Sequence, residues 1–196
     1  MNKREESKIK TRELILVKTK ELIAKIGVLN LTTAVIAKEC GIAHGSVFQH
    51  FGSREGLINT VLGDEIKRLT VQIESCCDSV LNLDKLLENY LEVLSQEEDF
   101  FSMLYRELPF LPEEIQKNMV CLEVILRNSF FFLLHEEGKG EIDEKGITIR
   151  MEAFFSTVIR YLSLRELYSP DQNVIKAKSA DIKKLFEILF ERECIK

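Results

Sequence analysis

The sequence predicts an all-α fold, and three observations carry that expectation. Only three prolines occur in 196 residues, Pro109, Pro112 and Pro170, and each falls at an expected helix boundary. No segment shows sustained alternation of apolar and polar residues between turn signals, so no strand is expected. Residues 32–57, TTAVIAKECGIAHGSVFQHFGSREGL, read as two short helices, a glycine turn between them, and the start of a third helix.

A first helix is expected over residues 7–26, with Ile15, Thr19, Leu22, Ile23 and Ile26 as its inward stripe. Thr32 suits the N-cap of the next helix, because its hydroxyl can accept an unpaired N–H of the first turn. Ile36 and Ala37 form its apolar face. Gly41 follows Cys40 where that helix must stop, and glycine takes positive φ there without steric cost. Val47, Phe48 and Phe51 then recur at helical spacing and leave His44, Ser46, Gln49 and His50 for the other face. Ser53 caps a long helix from Arg54 through Leu57, Val61, Ile66, Leu69 and Ile73 toward Ser75. Further helices are expected over Leu83–Gln96, Asp99–Glu107, Pro112–Glu137, 146–168 and 174–193. The third of these has Pro112 at its expected first position, and Glu113 and Glu114 suit its positive dipole end.

With 45% hydrophobic residues the chain can bury a sizeable core, as one large or two small domains. No run of 18 uninterrupted apolar residues occurs, so no membrane span and no membrane partner are expected. The basic start MNKREESKIKTREL lacks the apolar core of a signal sequence, and a cytoplasmic protein is expected. Net charge is −5, yet residues 1–60 hold ten Lys/Arg against six Asp/Glu, or +4, which leaves −9 for the rest. Lys3, Arg4, Lys8, Lys10 and Arg12 make a basic arm that either tracks phosphates or is a solvated tail. Five cysteines, Cys40, Cys76, Cys77, Cys121 and Cys194, show no paired spacing, which fits reduced thiols. The adjacent Cys76 and Cys77 are either small hydrophobes or a redox or soft-metal sensor.

A helix–turn–helix with short polar groups on its second helix fits the major groove of DNA. His44, Gly45, Ser46 and Gln49 lie near the N-terminal end of that helix, where base edges are read. Gln49 can pair bidentately with adenine, Ser46 can meet several bases, and His44 can donate to a base or a phosphate. Gly45 lets the backbone approach closely. Thr32, Thr33 and Arg54 sit at helix starts, where hydroxyls, backbone N–H groups and a cation suit phosphate oxygens.

Thr32, Ile36, Ala37, Gly41, Gly45, Ser46, Val47, Phe48, His50, Phe51, Ser53, Arg54 and Leu57 closely resemble the DNA-binding segment of the TetR (tetracycline repressor) family. Thr11-Arg12-Glu13, Ile15-Leu16, Leu22-Ile23-Ala24 and Gly27 resemble that family's first helix. The resemblance covers about the first 60 residues in detail. It implies a DNA-binding domain over residues 1–53 and a ligand-binding and dimerisation domain over 54–196. It also implies a homodimer on double-stranded DNA, a repressor released by a small effector, with no cofactor. His50 is implied to touch phosphate; the alternative is a bond to a local carbonyl. Two departures stand out. Phe48 is implied to be among the DNA-binding residues, although it keeps the packing of the family's frequent Tyr without its hydroxyl. Ala34 and Val35 follow the paired threonines where some relatives place Arg or another polar residue.

The effector is expected among the apolar middle helices, from Tyr90, Phe100, Phe101, Met103, Leu104, Met119, Leu122, Leu126 and Phe130, and to be mainly hydrophobic. Arg106, Glu107, Arg127 and Asn128 are its candidate polar handles. The last two helices carry Phe154, Phe155, Val158 and Leu162, then Ile182, Phe186, Leu189 and Phe190. In the family the corresponding pair packs against its copy as a four-helix bundle; burial within one chain is the other possibility. No nucleophile–His set, phosphate-cradling glycine loop or HExxH metal motif occurs, so no enzyme is expected. The rival readings are a helical interaction protein without operator recognition, and a thiol- or metal-sensing regulator.

Overall fold

A computed structural model of the chain describes residues 3–78, 82–136 and 144–190. All regular structure among them is helical. In order these are α1 (Lys3–Ile26), α2 (Thr33–Cys40), α3 (His44–Phe51), α4 (Arg54–Asp78), α5 (Leu83–Gln96), α6 (Glu98–Glu107), a 3-10 turn (Leu108–Phe110), α7 (Glu113–Glu136), α8 (Glu144–Ser163), α9 (Arg165–Tyr168) and α10 (Val174–Phe190). The chain folds as two compact units. One runs through Arg68 and takes in Glu107–Met119; the other holds Leu69–Arg106 and the chain from Val120 onward. The boundary expected between residues 53 and 54 falls inside the first unit, to which α4 contributes the buried Leu57, Ile58, Val61 and Leu62.

In the first unit, α1 packs on α2 and α2 on α3. Ile15, Thr19, Leu22 and Ile23 are buried as their spacing predicts, while Ile26, at the helix end, is exposed. The Thr32 hydroxyl accepts the Val35 N–H at 3.2 Å and caps α2. Gly41, at φ 65°, ends that helix. The Ile42 N–H returns to the Ala37 carbonyl at 3.0 Å and the Gly41 N–H to Lys38 at 3.2 Å, closing a Schellman motif. Ser53 Oγ accepts the Gly56 N–H at 2.9 Å and starts α4.

The loop between α1 and α2 is held from both sides. The buried Glu107 carboxylate accepts the Val28 N–H at 2.7 Å and the Leu29 N–H at 3.0 Å. Arg54 donates through Nε to the Leu31 carbonyl at 2.6 Å and through its guanidinium to the Val28 carbonyl at 2.5 Å. Gly27, at φ 75°, leaves no room for a Cβ, which would collide with Glu107 Oε1.

In the second unit, α10 packs on α5 and α8. Tyr90, Phe130, Phe154, Phe155 and Phe186 form one aromatic core. Phe130 meets Tyr90 at 6.1 Å, Phe155 at 5.7 Å and Phe186 at 5.7 Å between ring centroids. Edge-to-face and tilted pairs of this kind add to the hydrophobic gain of burial. Asn82 caps α5 through the Lys85 N–H at 2.8 Å, and Asn173 caps α10 through the Lys176 N–H at 2.9 Å.

Three local expectations shift. Pro112 precedes α7 rather than opening it, and its carbonyl accepts the Ile115 N–H at 2.9 Å. The helix expected over 146–168 divides at Leu164, whose backbone leaves the helical region (φ −117°, ψ 31°). By length and composition α7 is apolar enough to cross a membrane. No uninterrupted apolar run signals this, because Glu123 and Arg127 break it. A core helix passes the same test, and Ile115, Met119, Leu122, Leu126 and Phe130 are buried.

Glu107→Ala leaves two N–H groups without their acceptor and is expected to cost about 1–3 kcal/mol for each buried donor stranded. Arg54→Ala removes two charge-assisted bonds and is expected to destabilise the protein by a similar amount. Urea denaturation checks both; midpoints equal to wild type would show that the loop does not need these grips.

Candidate nucleic-acid interface

The two motif helices are joined at their N-terminal ends by side chains. Thr33 Oγ1 and His44 Nε2 lie 2.9 Å apart, so the first turn of α2 holds the first residue of α3. The His44 ring in turn meets the Phe48 ring edge-on at 5.7 Å. Val47 is the fully buried residue of α3 and anchors it. Thr32, His44, Gly45, Phe48 and Gln49 are exposed, and Thr33, Ser46 and His50 are half-buried. Ala34 and Val35 are exposed on α2. The residues expected to read bases therefore share one surface, with one correction. Phe48, expected on the packing face beside Val47, lies instead on the outer surface, 45% exposed. At an i, i+4 spacing from His44 it shares that residue's side of the helix.

The far end of α3 is set by α1. The Arg12 guanidinium donates to the His50 carbonyl at 2.9 Å and lies 4.2 Å from the centre of the Phe51 ring. A cation at a helix C-terminus complements the dipole there. Burial holds the His50 pKa below its usual value, and the nearby Lys8 and Arg12 charges push it the same way. In the sequence Arg12 reads only as part of a charge run; its contact is 38 residues distant, and no local pattern signals it. The basic arm is itself helical, because α1 begins at Lys3, and Lys8 and Lys10 are exposed along it. Arg54, expected to face phosphate, is half-buried with its guanidinium turned to the Val28 and Leu31 carbonyls. Its first role is internal.

The residues expected to meet an effector are mostly packed core. Tyr90, Phe101, Met103, Leu104, Met119, Leu122, Leu126 and Phe130 are buried, and Phe100 is half-buried. Two open clefts of the second unit, each about 340 Å³, have other walls. One is lined by residues of α5 and α10 such as Lys85, Glu92, Ser179 and Lys183, the other by Glu98, Asp99, Arg165 and Asn173 among others. A polar group does stand beside the aromatic core. Tyr105 and Glu123 are hydrogen-bonded, and burial pushes both pKa values up, with Arg127 opposing the shift. Arg127 is 3.9 Å from Glu123, pairs with Glu152 and lies 5.3 Å over the Phe155 ring. Of the other candidate handles, Glu107 is committed to the α1–α2 loop, and Arg106 and Asn128 are exposed.

The dimerisation residues need correction. Phe154, Phe155, Val158, Leu162, Ile182, Phe186 and Phe190 are buried within one chain, and Leu189 is half-buried. Phe154, Phe155, Phe186 and Phe190 pack on Tyr90, Phe130 and each other, so these rings face the interior of their own unit. Large aromatic residues on α8 and α10 fill the interior of this unit, while Ile149, Ala153, Ser156, Ala177, Ala180 and Ile188 are exposed. Cys40 is half-buried, with burial raising its thiol pKa, away from the reactive thiolate. The Cys76 side chain and Cys194 lie outside the described residues.

The comparisons with known proteins agree with this geometry. Residues 15–61 match the family described as bacterial regulatory proteins, tetR family. Over 58 residues the chain is 34% identical to the HTH-type transcriptional regulator BetI of Stenotrophomonas maltophilia (strain R551-3), a match spanning 30% of each protein. In structure it resembles the TetR family transcriptional regulator PfmR from Thermus thermophilus, with a TM-score of 0.66 and 17% identity, over 87% of this chain and 96% of that one. It also resembles the transcriptional regulator FadR from Bacillus subtilis, solved in complex with stearoyl-CoA, with a TM-score of 0.66 and 15% identity over 92% and 98% of the two chains. The family's segment is thus matched where the helix–turn–helix stands, and the chain shares its helical fold over most of its length with structures of regulators described as TetR family.

Proposed function

We propose that the protein is a cytoplasmic, homodimeric repressor that binds a pseudo-palindromic DNA site and leaves it when a small, mainly hydrophobic effector binds. One observation carries the DNA-binding part. The matched segment presents His44 and Gln49 outward on a helix anchored at both ends, by Thr33 at its start and Arg12 at its close. Preorganised side chains of this kind read base edges, while Lys8 and Lys10 supply charge for phosphates.

Gln49→Ala is expected to cost about 1–3 kcal/mol and to relax specificity at one base position per half-site. Lys8→Ala is expected to weaken binding alike on all sequences and to reduce the salt slope by about 1. Fluorescence anisotropy over a salt series separates the two effects. Equal wild-type affinity for promoter and random duplexes would reject specific recognition.

For the dimer, the outer faces of α8 and α10 replace the aromatic residues. Ile149, Ala153 and Ser156 are exposed on α8, and Ala177, Ala180 and Ile188 line the outer side of α10. Small residues let helices approach closely, and Ile149 and Ile188 are large apolar groups left at 69% and 55% exposure. Ile188→Asp is expected to yield folded monomers in analytical ultracentrifugation. An unchanged dimer would place the interface elsewhere.

The effector reading is supported by the buried aromatic core and the Tyr105–Glu123–Arg127 group beside it, an apolar wall with few polar handles. A long-chain acyl thioester bound by a protein of the same fold is in keeping with such a wall. A ligand of that class is expected to lower operator affinity by about 5–150-fold, the usual range of coupling. Titrating preformed complexes with acyl-CoAs of graded chain length, and with neutral apolar compounds, tests this; no release by any of them would reject it.

A further inference from the structure

We infer that the outer face of α7 joins a second copy of the chain, with α7 crossing its own copy at a two-fold axis through Asn128. α7 is apolar on two sides. Met119, Leu122, Leu126 and Phe130 are buried, while Val120, Val124 and Phe132 stand 57%, 47% and 62% exposed on the outer side. With the exposed Asn128 these three form one row at i, i+4, i+8 and i+12. Rows of this spacing are the ridges that interlock when two helices cross. Single apolar side chains are ordinary on a surface, but a contiguous run of them marks an interaction site. The whole row lies in the second unit.

Three features select a copy of the same helix over another partner. The first is the amide at the centre of the outer face. It has both donors and an acceptor, so Asn128 can bond its own counterpart reciprocally where the axis passes. The second is size. An antiparallel crossing about Asn128 sets Val124 against Phe132 of the partner subunit, and the half-buried Ile125 against Phe131 of the partner subunit. Small side chains then face large ones, which lets the two surfaces interdigitate. The third is charge. The row carries none, so it offers nothing to a nucleic acid or a strongly charged partner. One helix face per side is smaller than the about 800 Å² per partner of a standard interface, so the contact is weak and reversible. It uses a different helix from the α8–α10 contact proposed above, and it forms at protein concentrations beyond those that complete that contact.

Sedimentation velocity of the full chain over a rising concentration series tests the contact. The weight-average sedimentation coefficient is expected to keep rising after the first oligomer is complete, and Val124→Asp is expected to abolish that rise. Val124 is exposed, so this variant keeps its core, and an unchanged melting point by circular dichroism verifies it. Asn128→Cys tests the register. With oxidised glutathione as oxidant it is expected to link to its counterpart, as located by peptide mass spectrometry. The exposed Cys121, seven residues away, lies roughly 20 Å from its counterpart in this arrangement, at about 1.5 Å of rise per residue, and is expected to stay unlinked. A Val124→Asp variant that associates like the wild type would overturn the inference. So would an Asn128→Cys variant that does not link, or one in which Cys121 links as readily. A wild type that never rises would leave the face to a foreign protein or, if it floats with phosphatidylglycerol vesicles, to a lipid surface; either result overturns the inference.

Discussion

The Val28 backbone is bonded on both sides to charged side chains, its N–H to Glu107 and its carbonyl to Arg54. Much of the first unit depends on that arrangement. A loop of few residues between two helices cannot bury enough apolar surface to fix itself, and its backbone groups need partners once they leave water. Glu107 supplies acceptors and Arg54 supplies donors, so each charge is stabilised by the dipoles it satisfies. Gly27 makes the approach possible, since any side chain there would collide with the Glu107 carboxylate. The loop in turn sets where α2 begins, and α2 positions His44 through Thr33. The placement of α3 is thus traceable, contact by contact, to a carboxylate some eighty residues beyond the loop it holds.

The second unit is built on a different principle. Its aromatic side chains converge from α5, α7, α8 and α10 into a single cluster, and burial rather than directional bonding holds it. The exceptions lie at its edges. Ser102 donates to the Leu162 carbonyl at 2.8 Å, and Glu98 accepts the Ile175 N–H at 3.2 Å, which ties α6 to α8 and α10. Tyr105 and Glu123 place polar atoms at the cluster's margin.

The outer face of the helix–turn–helix is sparing in charge. Arg12 and Arg54, packed against the motif, are both turned inward to backbone carbonyls. Near the start of α3 the exposed groups are an imidazole, an amide and a phenyl ring, with Lys38 and Glu39 exposed on α2 and lysines further along α1. Charge that is free to move along any phosphate backbone favours binding everywhere, whereas neutral groups with fixed geometry favour particular bases. The net charge of −5 is compatible with a nucleic-acid partner for a related reason, since the positive share is concentrated in the first 60 residues.

The all-α class, the order of the helices and the register of the motif are legible in the residues alone. Those features rest on local chemistry: Thr32 and Ser53 cap, Gly41 terminates, and the apolar period of α1 and α5 marks their buried faces. What each apolar or charged residue faces is settled by packing between distant segments. Periodicity shows that Phe154, Phe186 and Phe190 lie on apolar stripes, but a stripe buried in its own subunit and one buried against a partner have the same spacing. An arginine at a helix start looks the same whether it meets a phosphate or, like Arg54, two carbonyls from a loop more than twenty residues earlier. Phe48 sits beside the fully buried Val47, and a helix of eight residues is too short for its pattern to say which of the two turns outward. For the aromatic stripes and for Arg54 the deciding contact is remote in sequence, and local propensity carries no record of it.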